Sequence, residues 1–201
     1  MKEHIIIAGT GRCGTSALVQ FFEKAGFDVG KNLAYSPNVR AGFEYVLDPN
    51  HKELAIRLEE APYIIKDPRL CHSLAPLLDK GLQVAFALIP VRDLGQASAS
   101  RLRPSTANLK FTPHSELKGG APHPAIEDPM QDQLIYNQRA LGQLIETLTL
   151  RGIPYKTIAF PNFIEDRDLL YNALIDTPLA MDRIRYDRSF EIFRPDMIHK
   201  Y

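Results

Sequence analysis

The strongest constraint on the fold is a glycine-rich turn between a short apolar run and an amphipathic segment, close to the first residue. Residues 4–8 read His-Ile-Ile-Ile-Ala, a run without alternation that is typical of a strand buried on both faces of a parallel sheet. The turn 9–14 follows, and from Thr15 apolar residues recur at helical spacing until Gly26, where a glycine ends the predicted helix. A strand, a glycine loop and a helix in this order predict the opening unit of an α/β domain.

The rest of the chain continues this alternation of strands and helices. Further strands are predicted at 63–65, 84–89 and 155–160, and helices at 53–60, 70–80, 94–102, 131–150 and 166–175. We therefore expect one α/β domain spanning residues 1–201, with three αβα layers around a mainly parallel sheet. The proline-rich stretch 104–129 lacks periodicity, and it predicts either a lid or substrate loop or a disordered insertion. The arginine-rich tail from Met181 receives no assignment.

Charge and cysteine content exclude several classes of protein. Lys and Arg number 24, and Asp and Glu also number 24, so the formal net charge is zero. Nucleic-acid binders and membrane-surface proteins usually carry a basic excess, so neither partner is expected. No apolar run near the start is long enough for a signal peptide or a membrane span. Two cysteines without a CxxC or HExxH pattern predict a reducing, cytoplasmic location and no metal site.

Three cations follow three predicted strands at equivalent positions. Arg12 lies in the loop after the first strand, Lys66 directly follows the second, and Arg92 comes just after the third. Because parallel strands end at the same edge of a sheet, these side chains are expected to converge there. The helix that starts at Thr15 adds backbone N–H groups and a positive dipole end. The pattern predicts a site for a multiply anionic ligand, unless these residues are merely charged openings of loops.

The glycine loop fits no familiar nucleotide template completely. The Rossmann dinucleotide fingerprint GxGxxG also requires a second strand that ends in an acidic residue about 20 residues later, and the sequence has no such strand. As GxxxxGK[ST], it has Thr15 where an NTPase or kinase carries its lysine. A phosphatase loop of the form Cys-x5-Arg would need arginine at position 19, which is Val19. An anion-binding loop without the phosphate lysine remains, and Arg12 is the residue that supplies charge within it.

Three segments together resemble the sulfotransferase family, whose P-loop NTPase-like enzymes use 3′-phosphoadenosine 5′-phosphosulfate (PAPS). Residues 9–16, Gly-Thr-Gly-Arg-Cys-Gly-Thr-Ser, are similar to the family's 5′-phosphosulfate loop. Residues 63–69, Tyr-Ile-Ile-Lys-Asp-Pro-Arg, resemble the strand whose terminal lysine reaches the transferring group. Residues 91–101 resemble the 3′-phosphate motif, with Arg92 at the strand end and Ser100 two helical turns later.

The resemblance implies a bound PAPS, which leaves as 3′,5′-ADP, and it implies roles for individual residues. It makes Lys66, Glu44 and Arg12 the catalytic residues, with Glu44 as the base. It gives the cofactor-binding set as Gly11, Arg12, Cys13, Gly14, Thr15, Ser16, Arg92 and Ser100. The implied reaction moves a sulfuryl group to a hydroxyl or amine on a small-molecule or glycan acceptor.

The sequence also departs from the family at two positions. Pro68 stands where cytosolic members carry a catalytic histidine, so Asp67 and the loop histidines His114 and His123 are alternative bases to Glu44. The family's C-terminal Arg-Lys-Gly clamp is absent, which leaves the tail arginines as candidates to close the adenine side: Arg183, Arg185 and Arg188. A P-loop kinase-like phosphotransferase and a non-catalytic nucleotide-binding module are the alternative functions. The acceptor and the oligomeric state are not specified by any motif.

Overall fold

The core of the protein is a parallel β-sheet. The computed structural model describes residues 2–30, 44–102 and 129–193, and within these ranges the sheet has the strands β1 (Glu3–Ile7), β2 (Ile64–Lys66), β3 (Gln83–Val91) and β4 (Tyr155–Ala159). The strands lie in the order β2-β1-β3-β4, and every pair is parallel. β1 is therefore an inner strand, as its uninterrupted apolar run predicts.

Helices cover both faces of the sheet. In chain order they are α1 (Thr15–Lys24), α2 (Leu54–Glu59), α3 (Leu70–Asp79), α4 (Leu94–Leu102), α5 (Pro129–Leu150), α6 (Asn162–Glu165), α7 (Arg167–Leu174) and α8 (Arg183–Phe190). Among the residues described, none of these helices combines the length and apolar character needed to cross a membrane.

The alternation of side chains along β1 divides the core into two layers. Ile5 and Ile7 pack with Phe22 of α1 in one cluster, whereas Ile6 packs with Leu144 of α5 in the other. Successive side chains of a strand point to opposite faces, so a strand that is apolar at every position needs a helical layer on each side. The predicted three-layer αβα architecture is confirmed.

Two helices near the C-terminal end of the described chain were not predicted from the sequence. α6 precedes the predicted helix at 166–175, and α8 lies in the unassigned arginine-rich tail. The N-terminus of α8 is capped by Asp182, whose side chain accepts a hydrogen bond from the backbone N–H of Arg185 at 2.9 Å. The predicted lid spans 104–129; its residues 104–128 lie outside the described residues, and residue 129 is the first of α5.

Candidate functional site

The loop between β1 and α1 has a backbone that only a glycine-rich sequence adopts readily. Gly11, Arg12 and Gly14 have φ angles of 73°, 58° and 87°, all in the left-handed region that disfavours side chains with a Cβ. At Gly14 a Cβ would lie 2.4 Å from Phe160 Cδ2. The glycine therefore lets the aromatic ring close over the start of α1.

The remaining predicted loop residues surround the N-terminus of α1. Cys13 is buried, and its Sγ lies 2.9 Å from the position that a Cβ of Gly9 would take. Thr15 is the buried first residue of α1, and Ser16 follows it. The first turn of a helix has backbone N–H groups without intrahelical partners, so this arrangement suits an anion.

Arg12, Arg92 and Ser100 come together beside this loop. Arg12 Nε donates to Ser100 Oγ at 3.2 Å, and Arg92 Nη1 donates to the backbone oxygen of Arg12 at 3.4 Å. Arg92 is 5% exposed. It also donates through Nη2 to Gln96 Oε1 at 3.2 Å, and its guanidinium lies 5.3 Å from the centre of the Phe160 ring. Two guanidinium groups and a hydroxyl thus meet where β1 and β3 end.

Lys66 occupies the neighbouring strand end. Ile7 of β1 pairs with Lys66 of β2, which brings the lysine to the same edge of the sheet as the loop. Lys66 is 2% exposed, and its Nζ donates to Ser16 Oγ at 3.3 Å and to Glu44 Oε1 at 3.0 Å. A buried ammonium group requires such partners, because it has lost its hydration. The three strand-end cations therefore converge on one edge, as the sequence pattern predicts.

The structure distinguishes the two acids that the sequence leaves as candidate bases. Asp67 is completely buried, and Arg69 binds both of its carboxylate oxygens, Nε to Oδ1 at 3.0 Å and Nη2 to Oδ2 at 2.9 Å. Burial raises the pKa of the Asp67 carboxyl, and the hydrogen bonds from Arg69 oppose that rise. Glu44 is 37% exposed and contacts Lys66 directly. Of the two carboxylates, Glu44 is the one accessible to a second molecule.

A cleft of about 180 Å³ opens next to Glu44 and Lys66. Its lining comprises Thr10, Glu44, Asp67, Pro68, Arg69, Tyr136 and Ala140. Tyr136 belongs to α5, and its hydroxyl contacts His72 Nε2 on α3 at 2.8 Å. Sequence reasoning missed Tyr136 because a tyrosine on an amphipathic helix reads as a core residue. It missed Gln96 and Phe160 as well, since their contacts with Arg92 depend on the packing of α4 and β4.

Two of the tail arginines lie away from this edge. Arg185 donates to the backbone oxygen of Ala25, just past the C-terminal end of α1, and Arg183 forms ion pairs with Asp168 and Asp187. α1 has ten residues, so its two ends are about 15 Å apart. Both side chains therefore have partners away from the glycine loop, and closure of the adenine side by Arg183, Arg185 or Arg188 stays a prediction.

Two further points of the sequence analysis concern the loop histidines and metal binding. His114 and His123 lie outside the residues that the structure describes. In the ranges 2–30, 44–102 and 129–193, no three His, Cys, Asp or Glu side chains are grouped so as to hold a metal ion.

Comparison with solved structures finds a likeness in fold. A solved structure of the sulfotransferase domain from the curacin biosynthetic pathway matches with a TM-score of 0.54 and 11% sequence identity, covering 92% of this chain and 77% of that domain. No protein-family model matches the sequence, and no curated protein matches it either. At this identity the likeness shows the fold alone: the chain has a sulfotransferase-like, P-loop-like α/β fold.

Proposed function

We propose that the protein transfers a sulfuryl group from PAPS to a hydroxyl or amine acceptor. The observation that carries this proposal is the position of Lys66. Its buried ammonium group lies between Ser16 of α1 and the accessible carboxylate of Glu44, at the same sheet edge as Arg12 and Arg92. The sulfotransferase-like fold supports the proposal independently of these side chains.

The donor set fits a cofactor that carries negative charge at two places. Arg92 and Ser100 suit a 3′-phosphate, because guanidinium groups bind phosphate through paired N–H donors. The N–H groups of residues 11–14, the start of α1, the Arg12 guanidinium, and the hydroxyls of Thr15 and Ser16 suit the 5′-phosphosulfate. When bound, PAPS supplies an activated sulfuryl group on a phosphate leaving group.

Each residue at the edge then has a task in the transfer. The sulfuryl group transfers in line: a bond from the acceptor oxygen to sulfur forms while the bond from sulfur to the phosphate oxygen breaks, as in phosphoryl transfer. Lys66 stabilises the negative charge that develops on the leaving oxygen. Glu44 accepts the proton of the acceptor hydroxyl, a contribution of typically 10²–10⁴-fold.

Ligand-induced stabilisation tests the proposal and separates it from its alternatives. At 100 times its Kd, 3′,5′-ADP stabilises a protein by about 2.7 kcal/mol, which for a chain of this size raises Tm by roughly 5–10 °C. The matched controls are 2′,5′-ADP, ATP with Mg²⁺, and NAD. Stabilisation by 3′,5′-ADP above all three is expected. Preference for ATP with Mg²⁺ would favour a phosphotransferase, and no response to millimolar 3′,5′-ADP would refute the proposal.

Replacement of the lysine tests the chemical step and separates an enzyme from a binding module. Lys66→Ala is expected to lower the release of 3′,5′-ADP from PAPS at least a hundredfold, while the Kd of 3′,5′-ADP changes by less than about fivefold. Lys80→Ala, which removes a surface lysine bonded to Pro49 O, is the control. Equal losses of binding and turnover in Lys66→Ala would contradict the assigned role. A wild-type protein that binds 3′,5′-ADP without turning over PAPS would be a non-catalytic module.

A further inference from the structure

One aromatic ring contacts both the glycine loop and the arginine assigned to the 3′-phosphate. Phe160 directly follows β4, and a Cβ on Gly14 would lie 2.9 Å from its Cε2, so the ring packs on the start of α1. The guanidinium carbon of Arg92 lies 5.3 Å from the centre of the same ring, which is within the range of a cation–π contact. Phe160 thus connects the two groups that are proposed to hold the two anionic ends of the cofactor.

The ring of Phe160 is held in place by the fold itself. Its backbone N–H donates to the carbonyl oxygen of Val91 at 2.8 Å, and Val91 directly precedes Arg92. The side chain is 7% exposed and belongs to the same apolar cluster as Phe163, whose ring centre lies 5.7 Å away. A ring packed in this way has little freedom to move, so it restricts the positions that the neighbouring guanidinium can adopt.

Three hydrogen bonds of Arg92 act on the edges of its guanidinium rather than on its face. Nε and Nη2 donate to Gln96 Oε1 at 3.4 Å and 3.2 Å, and Nη1 donates to the backbone oxygen of Arg12 at 3.4 Å. All three are longer than the usual N–H···O separation of about 2.9–3.0 Å. Because these edge contacts are long, the contact with the Phe160 ring contributes to fixing the plane of the guanidinium.

The position of Arg92 relative to the loop matters most for a ligand with two anionic ends. Such a nucleotide needs both binding groups at a matching separation, and groups that must first be ordered lower its affinity. A 5′-monophosphate needs only the loop and the start of α1. A residue that contacts both binding groups therefore affects the first ligand more than the second.

We propose that Phe160 determines the preference of the nucleotide site for ligands with anionic groups at both the 3′ and the 5′ position. It is a positioning residue, which acts by setting the place of the Arg92 guanidinium relative to the start of α1. The inference rests on the proposed function and names a residue that sets its cofactor specificity.

Titration calorimetry with 3′,5′-ADP and 5′-AMP tests this role. Phe160→Leu keeps the position apolar but removes the ring. It is expected to raise the Kd of 3′,5′-ADP about five- to tenfold, through the loss of a desolvated cation–π contact, and to change the Kd of 5′-AMP less than about twofold. Phe160→Tyr keeps the ring and should keep at least the wild-type preference for 3′,5′-ADP. If Phe160→Leu does not fold, Phe160→Met is measured with the same expectation.

Phe190→Leu is the matched control. Phe190 is 8% exposed and lies in the same apolar cluster, and the guanidinium carbon of Arg167 lies 5.2 Å from its ring centre. Its replacement removes the same atoms from a similar environment, so it should lower stability without changing either Kd. A double-mutant cycle tests the route of the effect: in an Arg92→Ala background, Phe160→Leu should raise the Kd of 3′,5′-ADP no further, because the ring acts through the arginine.

The possible outcomes separate the inference from the proposed function. An equal rise in both Kd values for Phe160→Leu, a similar rise for Phe190→Leu, or additive effects in the cycle would overturn the inference. So would a loss of the preference in Phe160→Tyr, or equal Kd values for the two ligands in the wild-type protein. A wild-type protein that does not bind 3′,5′-ADP would instead overturn the proposed function.

Discussion

Replacing Gly14 with alanine tests the geometry of the glycine-rich loop without requiring a ligand. Gly14 has a φ of 87°, and a Cβ there would lie 2.4 Å from Phe160 Cδ2 and 2.9 Å from Phe163 Cζ. The substitution therefore introduces two separate penalties. One is the left-handed backbone of an alanine, and the other is the displacement of two aromatic rings that belong to the core.

Two other glycines separate these penalties. Gly152 has a φ of 65° but nothing within 4 Å of a Cβ, so Gly152→Ala should cost only the backbone strain, about 1–2 kcal/mol. Gly142 is an ordinary helical glycine of α5 with nothing within 4 Å of a Cβ. Gly142→Ala should therefore stabilise the protein by about 0.5–1 kcal/mol. Gly14→Ala carries the strain plus an overpacking term of about 1–3 kcal/mol, which sums to about 2–5 kcal/mol.

Urea denaturation followed by circular dichroism measures the free energy of unfolding of the three variants on one scale. A loss of 2–5 kcal/mol is a large share of the 5–15 kcal/mol typical of a native domain, so Gly14→Ala should be clearly less stable than Gly152→Ala. If the two variants lost the same free energy, the rings of Phe160 and Phe163 would not be packed against the loop. The account of how this loop is held would then be refuted.

Three further substitutions probe the charged residues. Arg92→Lys keeps the charge but loses the guanidinium donors, so titration calorimetry should show a Kd about tenfold higher for 3′,5′-ADP and an unchanged Kd for 5′-AMP. An equal rise in both Kd values would contradict a 3′-phosphate contact. Arg69→Ala removes the guanidinium that binds the buried carboxylate of Asp67 and leaves it only the backbone N–H of residue 69. It should cost about 3 kcal/mol in urea denaturation, the lower end for a buried pair, because Arg69 is 47% exposed. Arg151→Ala at a surface pair should cost less than about 1 kcal/mol. Burial lowers the pKa of His4, so the unfolded chain binds the proton more tightly, and the free energy of unfolding should fall as pH drops below about 6.5. His4→Gln should flatten this pH dependence of the free energy of unfolding between neutral pH and about pH 5.5. If the variant kept the slope of the wild-type protein, the pH dependence would belong to other groups.

The sequence was sufficient to predict the architecture and the convergence of cations. Each strand that precedes Arg12, Lys66 or Arg92 is a dense apolar run, and parallel strands place the residues that follow them at one edge. The ends of the elements shifted by one or two residues, as hydrogen bonding rather than composition determines them. α8 escaped prediction because four of its eight residues are charged, although Asp182 carried a capping signal.

The partners within the site could not be predicted, because they depend on side-chain conformations and on how the elements pack in the folded chain. Ser100 accepts its hydrogen bond from Arg12. The guanidinium of Arg92 donates to Gln96. Asp67 and Glu44 both carry a carboxylate, so the sequence alone does not distinguish them as candidate bases. Only the tertiary structure encloses the carboxylate of Asp67 with Arg69 and leaves that of Glu44 accessible.

The left-handed backbone of Arg12 implies a compromise between thermodynamic stability and ligand binding. Among the residues described, Arg12 is the one non-glycine residue with a positive φ. Glycine at this position would remove about 1–2 kcal/mol of strain and lose part of that gain to the greater entropy of the unfolded chain. Selection for stability alone would therefore not favour arginine here. We therefore expect the arginine side chain to serve ligand binding, and stabilising substitutions in this loop should carry a cost in ligand affinity.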